Sequence, residues 1–345
     1  MVKYAFNGFL FSQRQTGVMR FAKEILKEID SICQSGEFVL VVPKYASHVP
    51  ELKNIRVERY GSTKGSLWEQ TDFFMYLTKF GCDSVNFNNT MPLLKPGVIV
   101  IHDLAYVQHP EYFDSLYGKI SILYHRLIFS IASKSSKRIV TVSHFTKIQL
   151  VEQYKIVPSC IHVIGNAWQH FLDVSEDDEI LVKNGLRAKE YYFSLGSVSK
   201  MKNTGWIIEE AKKNPNDTFV VSGAMPKNSN VTIQCPKNVI MTGFITDEQI
   251  KSLIKNCKAF IYPSLYDGFG IPPLEALSLH AKVICSTAAC LPEIFRDSVY
   301  YIDPYETDIN LDNLLKTKIG EPESTLERFS WQKSAKQFYK LLSEN

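Results

Sequence analysis

Residues 259–275 read AFIYPSLYDGFGIPPLE, and the reading of this stretch decides the fold. An apolar run stops at Pro263, a short loop carries Asp267, Gly268 and Gly270, and Pro272-Pro273 open the next segment. A buried strand that feeds a helix through small residues is how α/β folds build an anion site. The helix start offers unpaired N–H groups and the positive end of its dipole, and glycine lets the backbone approach a ligand closely. Glu275 is expected in the first turn of that helix. A carboxylate there repels phosphate but accepts hydrogen bonds from hydroxyls, which suits a ribose beside a phosphate. The stretch therefore points to a sugar nucleotide rather than to bare phosphate.

At 345 residues the chain is about twice a typical domain length, which suits two α/β domains of similar size. Its 45% hydrophobic and 22% charged content is that of an ordinary globular protein with an ample core. Seven cysteines, at 33, 82, 160, 235, 257, 285 and 290, form no CxxC pair. Their scatter predicts reduced thiols and a cytoplasmic setting and argues against a disulfide framework or a zinc site. The opening MVKYAFNGFLF runs straight into a strand-like segment with no signal-peptide pattern. No apolar run reaches the ~20 residues that span a bilayer. The longest, residues 120–132, is broken by His125 and Arg126.

The net charge of +3 is uneven: residues 1–165 hold 19 Lys+Arg against 13 Asp+Glu, and the remainder 20 against 23. A basic N-terminal half suits an anionic acceptor or an anionic membrane surface. Nothing in the chain resembles a nucleic-acid-binding module.

Strand and helix patterns alternate along both halves. Residues 2–6 read as a strand and residues 18–32 as an amphipathic helix, with Thr16-Gly17 at its start forming a second strand-loop-helix anion site. Further strands are expected at 38–42, 53–60, 84–87, 97–102, 138–142 and 161–164, and helices at 67–79 and 116–133. His102 closes the strand GVIVIH, at the carboxyl end where open parallel sheets bind ligands. Ser143 is expected to cap the next helix. The alternation restarts with strands at 191–195, 218–222, 239–243 and 282–285, helices at 206–212 and 248–256, and a last helix from Phe329-Ser330-Trp331.

Asp267 and Glu275 are separated by seven residues, and the string PSLYDGFGIPPLEA resembles the donor-site signature of glycosyltransferase family 4. The strings TGVMRFAKEIL, TVSHFTK and STAACLPE, the His102-Asp103 pair and the loop at 196–203 resemble further loops of that family, so the resemblance covers nearly the whole chain. It implies the GT-B fold: two Rossmann-like α/β domains facing across a cleft. The expected parts are an acceptor-binding domain at 1–165, a nucleotide-sugar domain at 166–328, and a helix at 329–345 crossing back to the first domain. This chain has Asp267 where the family usually has Glu, and Met201 where it usually has Arg.

The resemblance also assigns roles. Asp267 would hold hydroxyls of the transferred sugar, beside the backbone of Gly268, Phe269, Gly270 and Ile271. Glu275 would hold the ribose, and His102 would line the sugar pocket. Gly17, Ser197 and Lys202 would lie at the diphosphate, with Lys200 replacing the charge missing at Met201. Phe244 and Ile245 would pack on the nucleobase. The implied reaction is retaining hexose or deoxyhexose transfer from a nucleotide-diphosphate sugar to a glycan. That acceptor would be lipid-linked, at the inner face of the plasma membrane, as in bacterial surface-polysaccharide mannosyl- and rhamnosyltransferases. No Asp-x-Asp occurs, so no metal and no further cofactor is expected, and fixed cationic groups are expected to stabilise the leaving diphosphate. Two alternatives are a non-catalytic sugar-nucleotide-binding subunit and an NAD-dependent dehydrogenase. The second would need G-x-G-x-x-G, and Gly268-Phe269-Gly270 is followed by Pro273 where the third glycine belongs.

Overall fold

The computed structural model describes residues 2–13, 15–136, 138–223 and 235–344. The chain divides into two compact units, residues 1–166 with 331–345, and residues 167–330.

The first unit is built on seven parallel strands: β1 (Tyr4–Asn7), β2 (Phe38–Val42), β3 (Arg56–Arg59), β4 (Asp83–Asn86), β5 (Val98–Ile101), β6 (Ile139–Thr141) and β7 (Ile161–Val163). Their order across the sheet is β3-β2-β1-β4-β5-β6-β7. The described residues of the second unit form six: β8 (Tyr191–Leu195), β9 (Thr218–Ser222), β10 (Val239–Gly243), β11 (Ala259–Tyr262), β12 (Val283–Ser286) and β13 (Tyr300–Ile302), in the order β10-β9-β8-β11-β12-β13. All pairings are parallel. Runs such as Val98–Ile101 and Ala259–Tyr262 are buried throughout, as expected where helices cover both faces of a sheet.

Both sheets have the doubly wound order, in which the strand sequence reverses once. Ligands of such folds bind beyond the carboxyl ends of the strands at the reversal. In the first unit the reversal falls between β1 and β4, and in the second between β8 and β11.

Several elements differ from expectation. Residues 67–79 are not one α-helix: a π-helical turn at Glu69–Phe73 precedes the α-helix Phe74–Phe80. Phe9–Ser12 forms a 3-10 turn, and β13 carries no strand signal long enough to mark it in the sequence. The last helix, Trp331–Ser343, packs on Gly17–Ile32 in the first unit, with Trp331 against Phe21 at 6.2 Å between ring centres.

Candidate active site

The loops that leave β8 and β11 flank the reversal of the second sheet, and they are sewn together. From the first loop, the Met201 carbonyl accepts from the Leu265 N–H at 2.9 Å and from the Ser264 hydroxyl at 3.1 Å. The Asn203 amide donates to the Pro263 carbonyl at 3.1 Å and to the Pro304 carbonyl at 2.8 Å. Asn203 adopts the left-handed conformation that opens the helix Thr204–Lys213. The loops after β8 and β9 also meet: a Cβ on Gly223 would lie 1.8 Å from the Gly196 carbonyl oxygen, so only glycine fits.

This lacing brings Lys202 to Asp267. The Lys202 ammonium lies 2.5 Å from Asp267 Oδ2 and donates to the Tyr262 hydroxyl at 2.7 Å. Tyr262 Oη donates in turn to the same carboxylate oxygen at 2.5 Å. Burial pushes the Asp267 carboxyl up, but the Lys202 charge and the hydrogen bonds from Lys202, Tyr262 and the Phe269 N–H outweigh it and hold the carboxyl below its ordinary range. Burial and the Asp267 charge push the Tyr262 phenol far up, so it stays a donor. Asp267 is therefore an ionised acceptor with a fixed orientation.

The helix Ile271–Ser278 begins after Gly270, whose φ of +89° is a left-handed conformation and whose Cβ, were there one, would meet Leu291 at 2.9 Å. Two expectations at this helix are corrected. Glu275 lies in the second turn, because the helix starts at Ile271. The amides from Gly268 to Ile271 are not all open to a ligand: the Phe269 N–H caps Asp267 Oδ1 at 3.2 Å. Pro272 and Pro273 carry no N–H, which leaves Ile271 as the donor among the first three helical residues. The Phe269 ring is buried against Phe329 at 5.0 Å, so this side chain anchors the loop.

Glu275 is buried and accepts from, or shares a proton with, His170, Nε2 to Oε1 at 2.8 Å. His170 sits on the 3-10 turn Gln169–Phe171, 105 residues away in sequence. Sequence reasoning did not identify His170, and nothing near it marks it. Tyr262 is not marked either, because an apolar pattern registers only its ring, at the end of the strand Ala259–Tyr262. A polar tip at the carboxyl end of a buried strand was the available signal.

The remaining donor-loop residues are spread out. Ser197 and Lys200 are exposed on the loop after β8, and the Ser199 hydroxyl accepts the Lys202 N–H at 3.2 Å. Beyond β10, Phe244 is exposed and Ile245 is buried. Thr246 caps the helix Asp247–Asn256 with Gln249 in a reciprocal capping box.

In the first unit, Gly17 is the first residue of the helix Gly17–Ile32, capped by Thr16, whose hydroxyl accepts the Met19 N–H at 3.3 Å. His102 is buried beyond β5. Its Nε2 lies 2.9 Å from the Phe87 carbonyl, which can only accept, so Nε2 carries the proton. Burial lowers its pKa to about 4, partly opposed by that hydrogen bond, and the ring is neutral near pH 7. Asn89 holds the His102 N–H at 2.7 Å. At the reversal of this sheet, Asn7 and Thr90 donate to the buried Glu69 carboxylate at 2.5 and 3.0 Å, and Asn7 also donates to Asn86 at 3.0 Å. Burial, opposed by hydrogen bonds from Thr90 and Asn7, raises Glu69 to about 7. Ser143 caps the helix His144–Tyr154 through the Thr146 N–H at 3.2 Å.

The same architecture occurs in known proteins. Residues 176–337 match the model of the family "Glycosyl transferases group 1". The chain is 25% identical over 281 residues to the O-antigen chain mannosyltransferase RfbU of Salmonella typhimurium, covering 78% of this chain and 73% of that protein. It is 25% identical over 275 residues to O-antigen chain mannosyltransferase B of Escherichia coli, covering 72% and 71%. Among solved structures, Anabaena HepE in complex with UDP and glucose superposes with a TM-score of 0.74 at 16% identity over 99% of this chain and 100% of that one. WaaG, a glycosyltransferase of lipopolysaccharide biosynthesis, superposes with a TM-score of 0.68 at 13% identity over 98% and 95%. Residues 176–337 thus match the group 1 glycosyltransferases, and the chain shares the two Rossmann-like units of the GT-B fold with the solved glycosyltransferases it superposes on.

Proposed function

We propose that this chain transfers a hexose, with mannose favoured by its named relatives, from a nucleotide-diphosphate sugar to a glycan acceptor in surface-polysaccharide biosynthesis. The observation that carries the reading is the Lys202–Asp267–Tyr262 cluster at the reversal of the second sheet, in the loop that leads into the helix carrying Glu275. An ionised acceptor beside a lysine is what a donor with neutral hydroxyls and an anionic leaving group requires.

In this reading Asp267 accepts hydrogen bonds from hydroxyls of the transferred sugar. Lys202, already turned toward the site by Asp267, shares its charge with the β-phosphate. Lys200 and Ser197 add to the diphosphate site, and the backbone of Gly268, Gly270 and Ile271 lies beside it. Glu275, oriented by His170, accepts from the ribose hydroxyls. The exposed Phe244 and the backbone around Ile245 meet the base. Gly17 and His102 keep the roles toward diphosphate and sugar that the resemblance implies. With its Nε2 proton committed to Phe87, His102 would offer the sugar Nδ1 as an acceptor.

The reaction proposed retains configuration and needs no metal. The acceptor hydroxyl oxygen bonds to the anomeric carbon on the face from which the diphosphate departs. The bond from that carbon to the β-phosphate oxygen breaks, the hydroxyl proton passes to the leaving phosphate, and a nucleoside diphosphate is released. The acceptor proposed is a lipid-linked glycan met at a membrane surface. No described helix is long and apolar enough to cross a membrane.

The test is a melting-temperature panel with UDP, GDP, ADP and dTDP, and then transfer or hydrolysis of the sugar nucleotide carrying the stabilising base. A binder raises the melting temperature by mass action. Stabilisation by GDP is expected for a mannosyl donor. If no nucleotide stabilises the chain and no sugar nucleotide is consumed, the reading fails.

A further inference from the structure

The helix Leu116–Ser135 in the first unit carries its apolar residues on the wrong side for a helix of a water-soluble surface. Its inner face is ordinary: Ile122, Ile128, Phe129 and Ala132 are buried, and Ile128, Phe129 and Ala132 join the core with Ile99 and Ile101. Its outer face is not. Leu116 is 78% exposed, Ile120 58%, Leu123 68% and Leu127 48%. At about 100° per residue these four fall within an arc of about 60°, a continuous stripe about 16 Å long. Tyr117, 78% exposed, stands at one flank. Lys119 and Arg126 stand at the other, both exposed, and Lys134 is exposed toward the end. The helix contains no Asp or Glu, and none of these three cations forms an ion pair with a described residue. Arg126 also lines a recess of about 420 Å³ with Val107, Gln153 and Tyr154.

A contiguous apolar stripe left in water marks an interaction surface. Its chemistry selects the partner. Apolar side chains in a row, flanked by unpaired cations and a tyrosine, fit the boundary between acyl chains and anionic headgroups. A second copy of this chain fits worse, because pairing the stripe with itself would bring two rows of Lys119 and Arg126 together. We infer that this helix seats the protein on an anionic bilayer, with Leu116, Ile120, Leu123 and Leu127 entering the acyl boundary and Lys119 and Arg126 at the headgroup phosphates. The inference deepens the reading of a lipid-linked acceptor by naming the surface that meets the membrane.

The experiment sediments the purified full chain with vesicles of phosphatidylcholine alone or mixed with phosphatidylglycerol, at low and high salt. Binding to the anionic vesicles, weakened by salt, is expected. Ile120→Ser with Leu123→Ser should weaken it about tenfold or more, since each side chain loses its apolar transfer. Lys119→Gln with Arg126→Gln should remove the preference for anionic lipid and the salt dependence. These positions are exposed, so melting temperature and the nucleotide-induced shift should stay at wild-type values, which reads donor binding separately from membrane binding. Wild-type chain that stays in the supernatant with anionic vesicles overturns the inference. So does a dimer in light scattering that Ile120→Ser with Leu123→Ser makes monomeric while vesicle binding is unchanged.

Discussion

Replacing Lys202 by Met removes one charge and leaves most of the side chain's bulk. The ammonium makes two contacts, to Asp267 at 2.5 Å and to Tyr262 at 2.7 Å, and both partners of the ion pair keep about a fifth of their surface. The pair lies between exposed pairs, which contribute less than about 1 kcal/mol, and buried ones, whose one-sided loss costs about 3–5 kcal/mol. A loss of about 2 kcal/mol is expected at neutral pH, or roughly 4–8 °C in melting temperature for a unit of this size.

The pH dependence has a definite sign. In the wild type Asp267 is held below its ordinary value, so its contribution is present above the unfolded pKa of about 3.9 and lost as pH falls through the lower folded value. Without Lys202, burial pushes the carboxyl up, and its ionisation then opposes folding. The stability deficit of Lys202→Met should therefore be small in acid and grow as pH rises toward neutrality. If the lysine also stabilises the departing diphosphate, kcat/KM should fall by about 10²–10³. The assays are thermal melts from acid to neutral pH and initial rates with the sugar nucleotide that the melting panel selects. An unchanged melting temperature at neutral pH together with an unchanged kcat/KM would refute the reasoning.

The same geometry fixes other outcomes. His170→Phe should raise KM for the donor about tenfold with a smaller effect on kcat, because it removes the partner that orients Glu275; equal KM in the two proteins would reject that role. Met201→Ala should cost less than about 1 kcal/mol in urea unfolding, since the contacts of Met201 with Ser264 and Leu265 run through its backbone carbonyl, whereas Ser264→Ala should cost about 1 kcal/mol. His102 is neutral with a pKa lowered to about 4, so the stability it permits is present above the ordinary His value of 6.5 and lost as pH falls toward 4; His102→Gln should flatten the unfolding free energy by up to about 3 kcal/mol across that window. Glu69 is raised to about 7, so its contribution is full below pH 4.5 and lost as pH rises through 7; Glu69→Gln should gain relative stability above pH 7, measured by urea unfolding at pH 5 and 8.

The sheets were legible because their strands are short, buried on both faces and therefore continuously apolar. Tyr191–Leu195, Thr218–Ser222 and Val239–Gly243 stand where the pattern puts them. The stretch at 259–275 announced the loop and the helix start. The pattern could not announce features that depend on distant contacts. Glu69–Phe73 is wound as a π-turn while Glu69 is held by Asn7 and Thr90, one from each side of the sheet reversal, and a local helical pattern contains neither. His170 meets Glu275 only through the fold. Tyr262 combines an apolar ring, which the pattern registers, with a hydroxyl whose use depends on Lys202 and Asp267. Conversely, the mismatch at Met201 loses some of its weight, because the loop is held through that residue's backbone.

The last helix, Trp331–Ser343, has a consequence for biosynthesis. Phe338 lies against Phe87, Tyr339 against Phe38, and Arg138 donates to the carbonyls of Leu341 and Glu344. These partners lie at or before Arg138, and they must wait for residues 331–344. At ribosomal speeds of about 5–20 residues per second, translating the intervening stretch from Arg138 to Trp331 takes roughly 10–40 s. For that time the nascent first unit shows water the greasy strip that Trp331 and Phe338 will cover, while residues 167–330 emerge with their own sheet complete. A ribosome stalled before Trp331 is made would thus expose a chaperone-binding surface on the unit whose strands are already complete.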